Sequence, residues 1–248
     1  MALYKSSNPI LSENTFTKFD SYADTQSMTI QGTVNKMGLL LFFVVISASV
    51  TWYALGQGIL IDSTLPMISG IAAFVVAIVL AFKQTLAPFL APVYAILKGC
   101  LVGFISYVYN QWYSGIVTQA LALTICIFVA LLLIYKLRII RVTENFKLII
   151  GAATMGIALF YLVSFALSFF SVSIPLIHSN GIVGIGFSLF VVAIAALNLV
   201  VDFDFIEQGA EMRAPKYMEW YAAFGLLVTL IWLYLEILRL LSKLQSRD

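Results

Sequence analysis

Three ionisable side chains interrupt long apolar runs of this 248-residue sequence and are its first candidates for chemistry. Lys98 lies in APVYAILKGCLVGFIS, Asp202 in NLVVDFDFIEQG and Glu236 in IWLYLEILRLL. A charge is costly to hold within apolar surroundings, so each of these residues is a functional candidate. Two acidic residues brought together at low dielectric do not both stay ionised, and protonation of one can then switch the conformation.

Ionised carboxylates also supply the hard oxygen ligands that Ca²⁺ prefers. Asp202 and Glu236 are therefore candidate Ca²⁺ ligands, and a pair of them suits a pH-gated cation path or a proton-coupled transporter. Polar residues follow both at helical spacing. Asn198, Asp202, Asp204, Glu207 and Glu211 form one stripe, and Thr229, Glu236, Arg239 and Lys243 form another.

Each candidate also has a purely structural interpretation, which the sequence leaves open. Glu236 could pair with Arg239, three residues on, near a membrane surface. Asp202 could end a helix at the interface, and Lys98 could extend its stem towards the headgroups. His178 is isolated in a short loop, which favours an incidental role.

The elements that carry these residues are apolar runs long enough to cross roughly 30 Å of hydrocarbon as helices. The sequence predicts a polar tail over residues 1–36 and an all-α membrane domain over residues 37–244. The seven predicted spans are 37–55, 65–82, 91–109, 116–135, 147–172, 182–202 and 217–241. The connections are short, which indicates one seven-helix bundle without a soluble domain.

Composition excludes most other classes of protein. Hydrophobic residues make up 62% of the chain, charged residues only 10%, and the mean hydropathy is +1.00. Soluble domains usually carry about 25% charged residues. A polybasic tract, a metal-ligand cluster and the common catalytic motifs are all missing from the sequence. We therefore expect a lipid bilayer, cations and other membrane proteins as partners, and neither a nucleic acid nor a cofactor nor an enzymatic reaction.

Loop charge predicts the orientation. With seven spans, ten Lys and Arg residues lie in the tail and in the connections after spans two, four and six. The connections after spans one, three and five contain none. Because cytoplasmic loops are rich in Lys and Arg, the N-terminus is expected in the cytoplasm.

The last 50 residues resemble the Bax inhibitor-1 (transmembrane Bax-inhibitor-motif, YccA-like) family, in particular its bacterial branch. The resemblance is carried by Asp202, Ile206 and Gly209 in a D-x-x-x-I-x-x-G segment, and by LYLE from Leu233 to Glu236. Gly103, Ile105 and Ser106 form a G-x-I-S segment in span three that is also similar. The bacterial branch implies an inner (plasma) membrane location.

The resemblance implies a last helix surrounded by the other six and an acidic pair on spans six and seven that senses pH. Asp202 and Glu236 take the two sensor positions, and Lys83, Lys98 or Arg239 would supply the counter-charge. The family is associated with Ca²⁺ leak across membranes and, in animals, with suppression of cell death.

The two sensor positions are 34 residues apart, which is long for the family. If span seven begins near residue 217, Glu219 would be nearer than Glu236 to Asp202 in depth. A helical extension of about three turns over residues 205–220 would restore the pairing of Asp202 with Glu236. The sequence thus favours a pH-sensitive Ca²⁺ leak channel, and the alternative is a non-conducting regulator of other membrane proteins, such as a quality-control protease.

Overall fold

The computed structural model describes residues 27–59, 64–168, 170 and 181–246. Seven of the helices in these ranges are long and apolar enough to cross a membrane. They are α1 (Ile30–Gly56), α2 (Thr64–Phe82), α3 (Ala87–Trp112), α4 (Ile116–Lys136), α5 (Glu144–Ser168), α6 (Ile182–Glu211) and α7 (Met218–Gln245). A short 3₁₀ helix, Gln84–Leu86, precedes α3. The predicted all-α seven-span fold is confirmed.

Local sequence explains where several helices begin. Thr29 caps α1, because its hydroxyl accepts a hydrogen bond from the Gly32 N–H at 3.0 Å. Pro88 lies in the first turn of α3, where a missing N–H costs little. Gly115 has a φ of +81° before α4, a conformation that glycine adopts without strain.

The helix ends differ from the predicted spans. α1 begins at Ile30 rather than at residue 37, because the Thr29 cap starts the helix within the polar stretch. α6 continues nine residues past Asp202, to Glu211. The division between tail and membrane domain stays a prediction, since residues 1–26 lie outside the described part of the chain, as does His178.

The last helix is central, as predicted. α7 packs against α1, α3, α4 and α6, and its fully buried side chains include Leu227, Leu233 and Leu238. α5 is more peripheral, and its buried residues Ile150 and Ile157 form a separate apolar cluster with α6. We call the side of the bundle where α1 begins the tail side and the opposite side the far side.

Candidate functional site

Asp202 lies about a third of the way along α6 from its tail-side end, beside the central helix. It precedes the tail-side end of α6 by nine residues, and Thr229 follows the start of α7 by eleven. At 1.5 Å per residue, both positions are about 15 Å from the tail side. Thr229 on α7 lies beside the Asp202 carboxylate, and its hydroxyl donates to the Gly225 carbonyl at 3.3 Å. The Asp202 Oδ2 atom is buried and has no partner among the described residues.

Glu236 lies two turns beyond Thr229 on α7 and has its own hydrogen-bond partners. Its side chain is only 3% exposed, and Arg239 Nη1 donates to both carboxylate oxygens at 2.9 Å. The Tyr161 hydroxyl on α5 lies 3.1 and 3.2 Å from the two oxygens, and Trp232 donates to Oε1 at 3.2 Å. Arg239 also lies over the Tyr161 ring, 5.1 Å from its centroid. Glu236 is therefore a neutralised, well-bonded carboxylate.

The structure does not bring Asp202 and Glu236 together. The helical extension expected over residues 205–220 is present only in part, because α6 ends at Glu211 and α7 begins at Met218. It brings Asp202 level with Thr229 rather than with Glu236. The seven residues from Thr229 to Glu236 span about 10 Å along the helix. The pair predicted from the sequence is therefore two separate sites, one on α6 and one on α7. Among the described residues, Glu236 has a compensating charge and Asp202 forms no ion pair.

Glu219 is fully buried at the tail-side end of α7, well away from Asp202 in depth. It accepts hydrogen bonds from the N–H and the hydroxyl of Thr29, each at 2.9 Å, and forms ion pairs with Lys36 and Lys216. It thus connects α7 to the start of α1 and takes no part in a cluster with Asp202.

The remaining predicted site residues also have other partners. Asn198 donates to the Thr154 hydroxyl on α5 at 2.7 Å, rather than bonding Asp202. Asp204 forms an ion pair with Lys147 at 2.8 Å. Arg239 is the counter-charge of Glu236, as the structural interpretation expected, and not of Asp202.

The two proposed lysine counter-charges do not pair with the acidic residues. Lys98 is half-buried in α3, and Lys83 is exposed before the 3₁₀ helix. Within the described ranges, neither side chain forms an ion pair with a carboxylate. Lys98 therefore does not serve as the counter-charge of a described carboxylate, and its extension towards the headgroups stays a prediction.

Polar side chains accompany Asp202 across the bundle, between α5, α6 and α7. On the far side, Lys243 is 5% exposed and donates to the Ser188 hydroxyl at 2.9 Å and to the Gly184 carbonyl at 3.0 Å. We call the row of polar side chains between α5, α6 and α7 the polar seam. Its residues are Thr154 and Tyr161 on α5, Ser188, Asn198 and Asp202 on α6, and Thr229, Glu236, Arg239 and Lys243 on α7.

A cavity of about 460 Å³ lies elsewhere, between α1, α3, α4 and α7. The buried hydrogen bond of 2.7 Å between Ser106 and Tyr234 is at its wall, and no charged residue lines it. A cation would find no compensating charge there. The polar seam is therefore the better candidate for a path through the bundle.

A model of the family described as Bax inhibitor 1 like matches residues 8–246, which is nearly the whole chain. The chain belongs to that family. No curated protein and no solved structure matches it.

Membership in the Bax inhibitor 1 like family gives the resemblance at Asp202 and Glu236 a broader basis than the last 50 residues. Sequence reasoning found Asp202, Glu236 and Arg239, but it missed Tyr161 and the Thr154 partner of Asn198. Both are single polar groups in an apolar helix, and spacing along the chain does not show which helix they face.

Proposed function

We propose that this integral membrane protein conducts cations along the polar seam, with Asp202 as the residue that controls passage. Ca²⁺ is the cation proposed, in line with the leak that the family resemblance implies. The tail side would be cytoplasmic, as the distribution of Lys and Arg predicts. The membrane would be a bacterial inner membrane, as the resemblance to the bacterial branch of the family implies.

The observation that carries this proposal is the buried, unpartnered Oδ2 of Asp202 beside the central helix. An ionised carboxylate at this depth needs a hydrogen-bond donor or a positive charge beside it. Water or a cation would supply it, because the protein does not. Ionisation of Asp202 therefore favours hydration of the seam and attraction of a cation. Protonation removes that demand and favours a closed, dry seam.

The seam offers a cation only transient binding. Ca²⁺ in stable protein sites takes six to eight oxygen ligands. Among the described residues, no group of three or more His, Cys, Asp and Glu side chains lies close enough to hold a metal ion. Weak binding is what conduction requires, because an ion must leave as readily as it enters. Ca²⁺ is thus proposed as a permeant ion and not as a resident metal.

The test is Ca²⁺ entry into sealed vesicles that contain the purified protein and an enclosed Ca²⁺ indicator. Asp202→Asn keeps the shape of the side chain but removes its charge, and we expect it to abolish most of the flux. Asp204→Asn is the matched control on the same helix, since Asp204 is paired with Lys147 outside the seam. Equal flux through wild type and Asp202→Asn would refute the proposal.

A non-conducting regulator is the second candidate, and one observation favours it. The other acidic side chains of α6 and α7 with described partners are tied to bases. These pairs are Asp204 with Lys147, Glu207 with Arg138, Glu219 with Lys36 and Lys216, and Glu236 with Arg239. Such ion pairs stabilise a helix bundle and do not by themselves form a path for ions.

Deletion of residues 2–26 separates the two candidates, because it leaves the Thr29 cap and all described helices in place. A regulator that binds partners through its tail should lose its cellular effect. A channel should keep its Ca²⁺ flux in vesicles.

A further inference from the structure

Residues 27–29 lie across the connection between α6 and α7 on the tail side. Ser27 forms an antiparallel bridge with Pro215, and the Met28 N–H donates to the Ala214 carbonyl at 2.7 Å. Met28 is 2% exposed and packs over Gly209, where an added β-carbon would come within 2.9 Å of the Met28 sulfur. The short segment before α1 is therefore seated in a fitted surface formed by α6 and the turn that follows it.

Glu219 fixes the position of this segment through contacts that only a carboxylate can make. Its carboxylate is fully buried, and Oε1 accepts hydrogen bonds from the N–H and the hydroxyl of Thr29, each at 2.9 Å. Lys216 Nζ forms an ion pair with the same oxygen at 2.9 Å. Lys36, further along α1, binds Oε2. The carboxylate lies at the positive end of the α1 dipole, which stabilises its charge.

Gly32 provides the space for this carboxylate. A β-carbon at position 32 would overlap all three terminal atoms of the Glu219 side chain. The surroundings are thus matched to one carboxylate in both shape and charge. A weakly held surface ion pair would have neither property.

We propose that residues 27–36 and Glu219 form a latch that fixes the start of the central helix, and with it the position of Thr229 beside Asp202. α7 begins at Met218, so Glu219 is in its first turn, and Thr229 beside Asp202 follows ten residues later on the same rigid helix. A closed latch holds Thr229 at the depth of Asp202. An open latch would release the start of α7 and let Thr229 move relative to Asp202.

The latch can be tested by disulfide trapping between positions 27 and 215. Residues across an antiparallel bridge have α-carbons about 4.5 to 5.5 Å apart, within the range that a disulfide spans. The variant Ser27→Cys/Pro215→Cys is made with Cys100→Ser and Cys126→Ser, so that the introduced pair alone can react. The protein is placed in vesicles, and the rate of disulfide formation under a mild oxidant is measured.

We expect rapid and nearly complete trapping when Glu219 is present, and a rate at least about fivefold lower with Glu219→Gln, which loses two charged partners. Gly32→Ala keeps the carboxylate but displaces it, and should slow trapping in the same way. Glu211→Gln is the matched control, because Glu211 is an exposed acid on the tail side, and it should leave the rate unchanged. Trapping that is equally fast in all four proteins would overturn the latch.

The effect of the latch on conduction rests on the proposed function and is measured separately. We expect the trapped protein to pass no Ca²⁺ and a reductant to restore the flux. Flux that is equal before and after reduction would show that the latch does not control the seam. If the reduced protein also passes no Ca²⁺, the proposed function fails, while the trapping rates still decide whether the latch exists.

Discussion

For single residues, the carboxylates of Asp202 on α6 and Glu236 on α7 have opposite environments. Glu236 is bonded by Arg239, Tyr161 and Trp232. Asp202 lies beside Thr229, and its buried Oδ2 has no hydrogen-bond partner among the described residues. A bonded, paired carboxylate is a poor switch, because its charged state is already stabilised. The structure therefore assigns stability to Glu236 and leaves the proposed control of passage to Asp202.

If the Glu236–Arg239 pair stabilises the bundle, the free energies of unfolding of its variants should follow a specific order. Arg239→Gln leaves a buried carboxylate without its base and should lower the free energy of unfolding by about 2 to 4 kcal/mol, somewhat less than for a fully buried pair because Arg239 is one-third exposed. The double variant Glu236→Gln/Arg239→Gln removes the stranded charge and should recover about half of that loss. Unfolding in detergent micelles measures both. A double variant less stable than Arg239→Gln alone would show that the pair is not what stabilises this region.

At the scale of helices, α1 and α3 approach closely at glycine. A β-carbon on Gly103 would come within 2.8 Å of the Ala48 α-carbon and still closer to its carbonyl oxygen. Gly99 is in similar contact with Val44 and Ser47. Close approach through small residues is how membrane helices associate without a hydrophobic drive between them.

Gly103→Ala should therefore separate α1 from α3 and cost about 1 to 3 kcal/mol of stability, because backbone atoms cannot move aside as a flexible side chain would. Gly151→Ala on α5 is the control, since nothing lies within 4 Å of its added β-carbon. It should be neutral, or stabilising by up to about 1 kcal/mol through helix propensity. Thermal unfolding of the two variants side by side gives the comparison, and equal losses would contradict the packing argument.

Helix α5 is joined to α7 through Tyr161, whose hydroxyl lies between Glu236 and Arg239. Tyr161→Phe removes this connection but keeps the ring, so α5 should move more freely and Ca²⁺ flux should rise by about twofold or more. Tyr53→Phe, an exposed tyrosine on α1, should have no effect. A flux that falls in Tyr161→Phe would mean that this hydroxyl lines the path rather than closing it.

At the scale of the whole molecule, the features predicted from the sequence are those that depend on local composition. Seven spans and the Bax inhibitor-1 resemblance followed from apolar runs and from the residues around Asp202 and Glu236, and both are confirmed. The Glu236–Arg239 pair was among the alternatives because its two members are three residues apart.

Contacts between distant parts of the chain were not predictable in this way. Glu219 is 190 residues from Thr29 and 183 from Lys36, and neither spacing carries a periodic signal. The depth at which α6 meets α7 decides that Asp202 faces Thr229 rather than Glu236. That depth depends on where the turn after Glu211 falls, which the apolar pattern does not fix.

Control of the polar seam by Asp202 is tested by the pH dependence of Ca²⁺ flux in vesicles. Because ionisation of Asp202 is proposed to open the seam, wild-type flux should increase about tenfold or more from mildly acidic to mildly alkaline buffer, following one titrating group. Asp202→Asn should show low flux with no such increase, while Asp204→Asn should follow wild type. A pH dependence that persists unchanged in Asp202→Asn would show that Asp202 does not control passage through the polar seam.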